Sequence, residues 1–291
     1  MDIFQLLNAC HQKYSRNGRC GTCQNSDCRS KCSSCLDDIH MNKIKRRYNC
    51  QNIVNCYVCK YQIKYSSEIY YLLNNHVQFK SLNDIVVWSI GCGPCSDLFA
   101  IANWMQNNNK FNLKYVGFDL NNEWQPIQND VQSIASRSPV GVNSNILNHN
   151  IFTIYRSVSE WPDTLPVNVL FLQYVISDLA SNVINSDVDF FLNRTVDLLI
   201  KRMPSNSFVI INDINHHTLA RNHFEKLINL LRGSGKYSFT RYHFVNNNRQ
   251  DYIQYGQQHQ SNNILWPIPQ YCLIHNPWNF CSSAQLVIHK Q

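Results

Sequence analysis

Apolar positions along this chain alternate between short runs and helical stripes. The run Ile85-Val86-Val87-Trp88 is rich in β-branched residues and too short for a helix, so it predicts a buried strand. Behind it Leu98, Ile101, Ala102 and Met105 recur at helical spacing, and Tyr115-Val116-Gly117-Phe118 reads as a second strand ending on Asp119. Residues 123–137 then predict a helix with Pro126 in its first turn, where a missing N–H does no harm. Residues 151–155 read as a third strand. Residues 167–175 read as a fourth, apolar throughout, as a parallel strand covered on both faces should be. A helix over 187–203 opens on acids and closes on Lys201-Arg202, matching the helix dipole. A strand at 208–211, a helix over 218–232 stopped by Gly233 and Gly235, and strands at 237–244 and 284–289 complete the series. The pattern predicts an α/β fold: a doubly wound, mainly parallel seven-stranded sheet with helices on both faces. Upstream, Ile63, Ile69, Tyr70 and Leu73 place a connecting helix within 61–75. Residues 245–283 form a long polar insert whose Trp266, Trp278 and prolines argue for an ordered lid or wall.

The turn between the first strand and its helix carries the chemistry. It reads Ser89-Ile90-Gly91-Cys92-Gly93-Pro94-Cys95-Ser96-Asp97. Two glycines one residue apart let the backbone bend sharply and approach a ligand with no Cβ in the way. Ser96-Asp97 supplies a helix N-cap and an acidic first turn. Strand, glycine loop, helix, strand and terminal acid is the layout of a nucleotide-binding βαβ unit, in which the acid takes ribose hydroxyls. The stretch resembles the first two strands of class I S-adenosylmethionine (SAM)-dependent methyltransferases. That family's loop usually reads acid-x-Gly-x-Gly-x-Gly, with a second acid ending strand two. Gly91, Gly93 and Asp119 match, while Ser89 stands in place of the first acid and Cys95 in place of the third glycine. The resemblance covers about residues 76–291 and implies one antiparallel strand inserted by a final hairpin and SAM as cofactor, with Ser89, Gly91, Cys92, Gly93, Pro94, Asp97, Asp119, Leu120 and Tyr174 as the cofactor-binding set.

Thirteen cysteines change the picture at the other end of the chain, since nine fall within the first 59 residues. Cys20-x2-Cys23-x4-Cys28-x3-Cys32-x2-Cys35, followed by Cys50-x5-Cys56-x2-Cys59, contains three C-x2-C turns, each able to bring two thiolates to one ion. These eight cysteines suit two Zn2+ sites whose binding would supply folding free energy to a segment poor in large apolar residues. An iron–sulfur cluster on Cys28, Cys32 and Cys35, or reduced thiols without metal, are the alternatives. The expected organisation is a zinc-binding module over 1–62, a connecting helix over 63–80 and the sheet domain over 81–291.

Charge follows the cysteines. Residues 1–65 hold 11 Lys and Arg against 4 Asp and Glu, which accounts for the whole formal net charge of +7. Two four-thiolate zinc sites would lower the module to about +3. Lys43, Lys45, Arg46 and Arg47 still cluster near Tyr48, Tyr57 and Tyr61, a combination suited to a phosphate backbone and exposed bases. Nucleic acid, RNA above DNA, is therefore the favoured partner. A protein substrate, or a SAM-binding protein without turnover, stands beside it. No apolar run reaches membrane-span length and the N-terminus lacks a basic n-region, so a cytoplasmic protein is expected.

Methyl transfer from a sulfonium needs alignment and, for some acceptors, one base. After strand four the chain reads Gln173-Tyr174-Val175-Ile176-Ser177-Asp178, without the Asn- or Asp-Pro-Pro-aromatic motif of the family's amino-methylating members and without a Pro-Cys pair. Asp178 and Asp213, near the carboxyl ends of strands four and five, are the general-base candidates, each equally suited to capping a loop or helix.

Overall fold

A computed structural model of the chain describes residues 1–14, 32–40, 48–82, 84–157, 162–182, 185–245 and 254–291. Its centre is a sheet of eight strands: β1 (Ile85–Ile90), β2 (Leu113–Asp119), β3 (Val142–Asn148), β4 (Val169–Gln173), β5 (Ser207–Ile214), β6 (Tyr237–His243), β7 (Gln257–Gln258) and β8 (Ser283–Lys290). Their order is β3-β2-β1-β4-β5-β8-β6-β7. All neighbours run parallel except β8, which is antiparallel to both β5 and β6. The chain order reverses beside β1, between β2 and β4, and the carboxyl ends of strands at such a switch point are where open α/β sheets take their ligands.

The helices are α1 (Ile3–Lys13), α2 (Cys32–His40), α3 (Gln51–Asn75), α4 (Ser96–Asn107), α5 (Gln125–Ala135), α6 (Ile151–Ser157), α7 (Val175–Asn182), α8 (Asn185–Leu198) and α9 (Asn222–Arg232). α1, α3, α4 and α5 bury Leu6, Leu72, Phe99 and Val131 with Val87, Phe171 and Ile210 on one face of the sheet. α8 and α9 bury Phe191, Leu192, Phe224 and Leu227 with Leu170, Leu172 and Ile211 on the other. The continuous apolar run of β4 is explained by this sandwich, since Val169 to Leu172 are all buried.

Two expectations need correction. The third strand lies at Val142–Asn148, and residues 151–155 belong to α6. β3 is the sheet's edge, pairs only with β2 and is largely half-exposed, so its Val-Asn-Ser-Asn-Ile-Leu-Asn sequence carries a weak apolar signal. The Ile151 run looks β-like, but the Asn150 side chain accepts the Phe152 N–H at 2.9 Å, which starts a helix that buries Tyr155. The second correction is the strand count, raised from seven to eight by the short β7 inside the insert.

The N-terminal helices share the core of the sheet. Ile3, Leu6, Leu7 and Cys10 of α1 join the same buried cluster as β1 and α4. α3 runs unbroken through residue 62 and is buried from Asn52 to Ile69, polar side chains included. It lies across the carboxyl ends of the strands. Ser66 Oγ donates to the Ser96 carbonyl, the Gln173 amide to the Tyr65 carbonyl and the Asn212 amide to Glu68.

Candidate active site at the carboxyl ends of β1, β2 and β4

The glycine loop hooks onto β2. The Gly91 and Cys92 amides donate to the Phe118 carbonyl at 2.7 and 3.1 Å, and the Gly93 amide donates to Asp119 Oδ2 at 2.8 Å. Gly91 and Gly93 have φ of +64° and +48°, the left-handed region. A Cβ on Gly91 would stand 2.6 Å from Val175 Cγ2 in α7, so only glycine lets α7 pack on the loop. Trp124 lies beside Gly93, and its ring meets Tyr48 and Tyr57 at centroid distances of 5.9 and 5.2 Å.

Asp119 also accepts the Asn121 N–H through Oδ1 at 2.9 Å. Each carboxylate oxygen keeps a second lone pair for a ligand hydroxyl. Burial pushes Asp119 up to about 6. Leu120 is 56% exposed next to it. Asp97 faces the opposite way: it is fully buried, accepts the Tyr115 hydroxyl at 3.1 Å, and is pushed up to about 6 by burial. Ser89 is buried in the same layer beneath the loop. Asp119 is therefore half-buried beside the Gly91–Gly93 bend, while the carboxyl of Asp97 is held in the core by Tyr115.

Tyr174 follows β4 with φ of +56°. Its hydroxyl donates to Glu68 Oε2 at 2.8 Å and accepts from Lys64 Nζ at 2.6 Å, while its ring stacks on Tyr65 at 4.0 Å. Burial and the Glu68 carboxylate push the phenol well above its ordinary value, so it stays protonated. Glu68 is surrounded by donors: besides Tyr174 and Lys64 it accepts from Asn212 and from the Ser282 and Ser283 amides. Lys64, Glu68 and Asn212 were not among the candidates read from sequence. The i,i+4 spacing of Lys64 and Glu68 was the available signal, while Tyr174, Asn212 and Ser282, which also bind Glu68, are over 100 residues away.

The two base candidates differ. Asp213 is buried and spends its oxygens on the Ser177 amide at 3.0 Å and the Ile214 amide at 2.7 Å, fixing the start of α7 against β5. Burial pushes it up to about 6. Asp178 is exposed in the first turn of α7, and its Oδ1 accepts from Asn182 at 3.0 Å. Its charge adds to the upward push that burial exerts on Asp119 and on Tyr48.

Cys32, Cys35, Cys50 and Cys56 meet in one buried cluster with Leu36, Ile53, Tyr61 and Tyr65. Cys59 turns away from them toward α1, with its Sγ 3.7 Å from the Leu7 carbonyl. Among the described residues no group of three or more His, Cys, Asp or Glu side chains is arranged to hold a metal ion. Cys20, Cys23 and Cys28, and the basic run Lys43, Lys45, Arg46 and Arg47, lie outside the described residues. Among the described residues no helix is long and apolar enough to cross a membrane.

Several solved structures are similar to the chain. The plantazolicin methyltransferase BpumL, in complex with a triazolic desmethylPZN analog and SAH, aligns with a TM-score of 0.48 and 11% identity over 99% of this chain and 98% of that one. A precorrin-6y C5,15-methyltransferase from Geobacter metallireducens GS-15 aligns at 0.41 and 12% over 78% and 87%. A SAM dependent methyltransferase from Archaeoglobus fulgidus aligns at 0.42 and 11% over 78% and 94%. No family model and no curated protein matches the chain.

Proposed function

We propose that this chain is a SAM-dependent methyltransferase with its cofactor in the crevice between the Gly91–Gly93 bend and Asp119. The observation that carries the reading is one hydrogen bond in its setting. The Gly93 amide binds Asp119, joining the glycine loop after β1 to the acid ending β2, inside a sheet whose antiparallel β8 sits between β5 and β6. That insertion is the arrangement class I methyltransferases show. The residues fit the cofactor: two glycines hold left-handed bends that an alanine would strain, and Asp119 keeps lone pairs for ribose hydroxyls. Leu120 offers an apolar face to the base, and Tyr174 closes the site at the end of β4. Bound SAM supplies a methyl group on a sulfonium, open to in-line displacement. The chain's own part is alignment, plus removal of an acceptor proton by Asp178, which reaches solvent where Asp213 is committed to holding α7.

RNA is the acceptor class favoured by Lys43, Lys45, Arg46 and Arg47; a protein acceptor is the alternative. Steep loss of acceptor binding between 50 and 200 mM salt fits RNA, on the order of a thousandfold for six phosphate contacts, whereas a flat response fits protein. The thiolate-rich N-terminal segment is assigned Zn2+. Metal analysis finding less than one zinc per purified chain removes that assignment.

The test of the central reading is calorimetric titration of the full chain with SAH, the demethylated product. Binding in the micromolar range, weakened at least tenfold in Asp119→Ala, is expected. A wild-type chain that folds and gives no heat with SAH or SAM overturns it.

A further inference from the structure

The glycine loop holds a second chemistry that methyl transfer does not use. Residues 92–95 read Cys-Gly-Pro-Cys and join a strand to a helix N-terminus. A Cys-x-x-Cys in that setting is the layout of redox-active dithiols. The turn is tight, since the Cys95 amide donates to the Cys92 carbonyl at 2.7 Å. An i to i+3 bond of this kind holds the end Cα atoms within about 7 Å, which overlaps the roughly 4.4–6.8 Å a disulfide spans. The Cys95 thiol points back along the turn, with its Sγ 3.8 Å from the Gly93 carbonyl. Cys95 has φ of +55°, a strained conformation for a residue with a Cβ. Glycine would occupy that position without strain, and it is the position at which the resembling loops carry glycine. A thiol held there against backbone preference needs a reason, and a partner thiol three residues away supplies one.

We propose that Cys92 and Cys95 are a reversible dithiol–disulfide pair and that closing the disulfide weakens ligand binding at the glycine loop. The second half rests on the cofactor reading above; the first does not. The oxidant is a small-molecule disulfide. Cys92, 7% exposed against 0% for Cys95, is the first to react. Its thiolate displaces one sulfur of the small disulfide, releasing one thiolate and leaving a mixed disulfide on Cys92. The Cys95 thiolate then attacks the Cys92 sulfur and expels the second thiolate. The two protons lost by the cysteines end on the two released thiols, and two electrons pass from the protein to the small disulfide. The Cys95 thiol and burial both push Cys92 upward, so the first step is slow at neutral pH and accelerates in base.

Closure would disturb the loop because of what Cys92 packs against. Its Sγ fills the space that a Cβ on Gly117 would meet at 2.8 Å, and the Gln128 amide lies 3.9 Å from it. Drawing that sulfur onto Cys95 shifts the turn that holds the Gly93 amide against Asp119.

Full-length protein is equilibrated with mixtures of reduced and oxidised glutathione, the remaining thiols are alkylated, and linkages are mapped by peptide mass spectrometry. The same samples are titrated with SAH. The expected result is a Cys92–Cys95 linkage in folded protein, SAH affinity at least tenfold lower in the oxidised form, and recovery on reduction. In Cys95→Gly, which removes the strained side chain as well as the resolving thiol, oxidation should stop at a glutathione adduct on Cys92, with no intramolecular linkage to map. Two persistent thiols, or glutathione adducts alone, at every glutathione ratio overturn the proposal. So does a Cys92–Cys95 linkage with undiminished SAH affinity. If reduced protein does not bind SAH, the methyltransferase reading fails, and the mapped linkage still decides whether the pair is redox-active.

Discussion

Gly91→Ala is the sharpest probe of the loop, because two separable penalties meet there. The first is conformational: an alanine at φ +64° costs about 1–2 kcal/mol. The second is steric. The new Cβ would lie 2.6 Å from Val175 Cγ2, and overpacking of this kind costs about 1–3 kcal/mol. The sum is about 2–5 kcal/mol of stability. Val175→Ala removes the offending methyl, and the remaining Val175 Cβ stands at an ordinary 3.7 Å. In that background Gly91→Ala should therefore cost only the conformational part. The coupling between the two sites is then about 1–3 kcal/mol, read from a double-mutant cycle in urea. Gly93→Ala is the internal control: its φ is +48°, but the nearest atom is in the Trp124 ring at 3.8 Å, so it should show the dihedral cost alone. Equal costs for Gly91→Ala in both backgrounds would refute the packing of α7 on the loop. A cost below about 1 kcal/mol would refute the left-handed bend itself.

Four further outcomes follow from the same geometry. Burial raises Asp97 to about 6 from an unfolded value of 3.8, so the folded state binds the extra proton between these values; stability rises as pH falls through 6 and is lowest above it. Asp97→Asn should accordingly stabilise the protein at pH 8 by up to about 3 kcal/mol, with the gain fading toward pH 4; a gain that does not shrink on acidification would count against it. Burial pushes His76 and His259 down to about 4, so their contribution is complete above about 6.5 and is lost as pH falls to 4; nitrogen NMR should find both rings neutral at pH 6, and an imidazolium signal there would contradict the burial. Lys64→Met leaves the Glu68 carboxylate buried without its cation and should cost about 3–5 kcal/mol in urea, whereas a loss under 1 kcal/mol would mean the pair is solvated. SAH affinity of the wild type should fall as pH drops through about 6 and Asp119 takes up its proton, and Asp119→Asn should abolish that dependence.

How legible each feature was in the sequence tracks how local its cause is. β4 announces itself because both its faces are covered, and β1 and β2 because one face is fully buried, so their apolar and β-branched runs need no context. The Gly91, Gly93 and Asp119 spacing could be read for the same reason, since one βαβ unit contains it. β3 was hidden because an edge strand with half-exposed faces carries Asn as readily as Val. Residues 151–155 misled because helix or strand there is settled by Asn150, a single cap that outweighs a β-branched run. Asp97 looked like a cofactor residue from its place after the loop. Its direction is fixed by Tyr115, 18 residues away on β2, and no local pattern records that contact.

The least legible element is α3, and its burial bears on how the site is reached. A helix with Lys60, Gln62, Lys64, Ser66, Ser67 and Glu68 in succession reads as solvated or as part of a polar module. All six are buried. They can be, because the carboxyl ends of the strands and the loops beyond them end in unpaired peptide groups and polar side chains. Glu68 takes the Ser282 and Ser283 amides, Gln62 the Ser96 hydroxyl, and Lys60 lies against Asp37 of α2. A helix that satisfies the strand ends in this way also roofs them. Tyr57, Tyr61 and Tyr65 run along its underside, from Trp124 near the glycine loop to Tyr174 at the end of β4. The N-terminal part of the chain therefore supplies a row of tyrosine rings over the strand ends. Cys32, Cys35 and Cys50 pack with Cys56, Tyr61 and Tyr65 in one buried cluster, so a substitution at any of these cysteines should also loosen the tyrosine row.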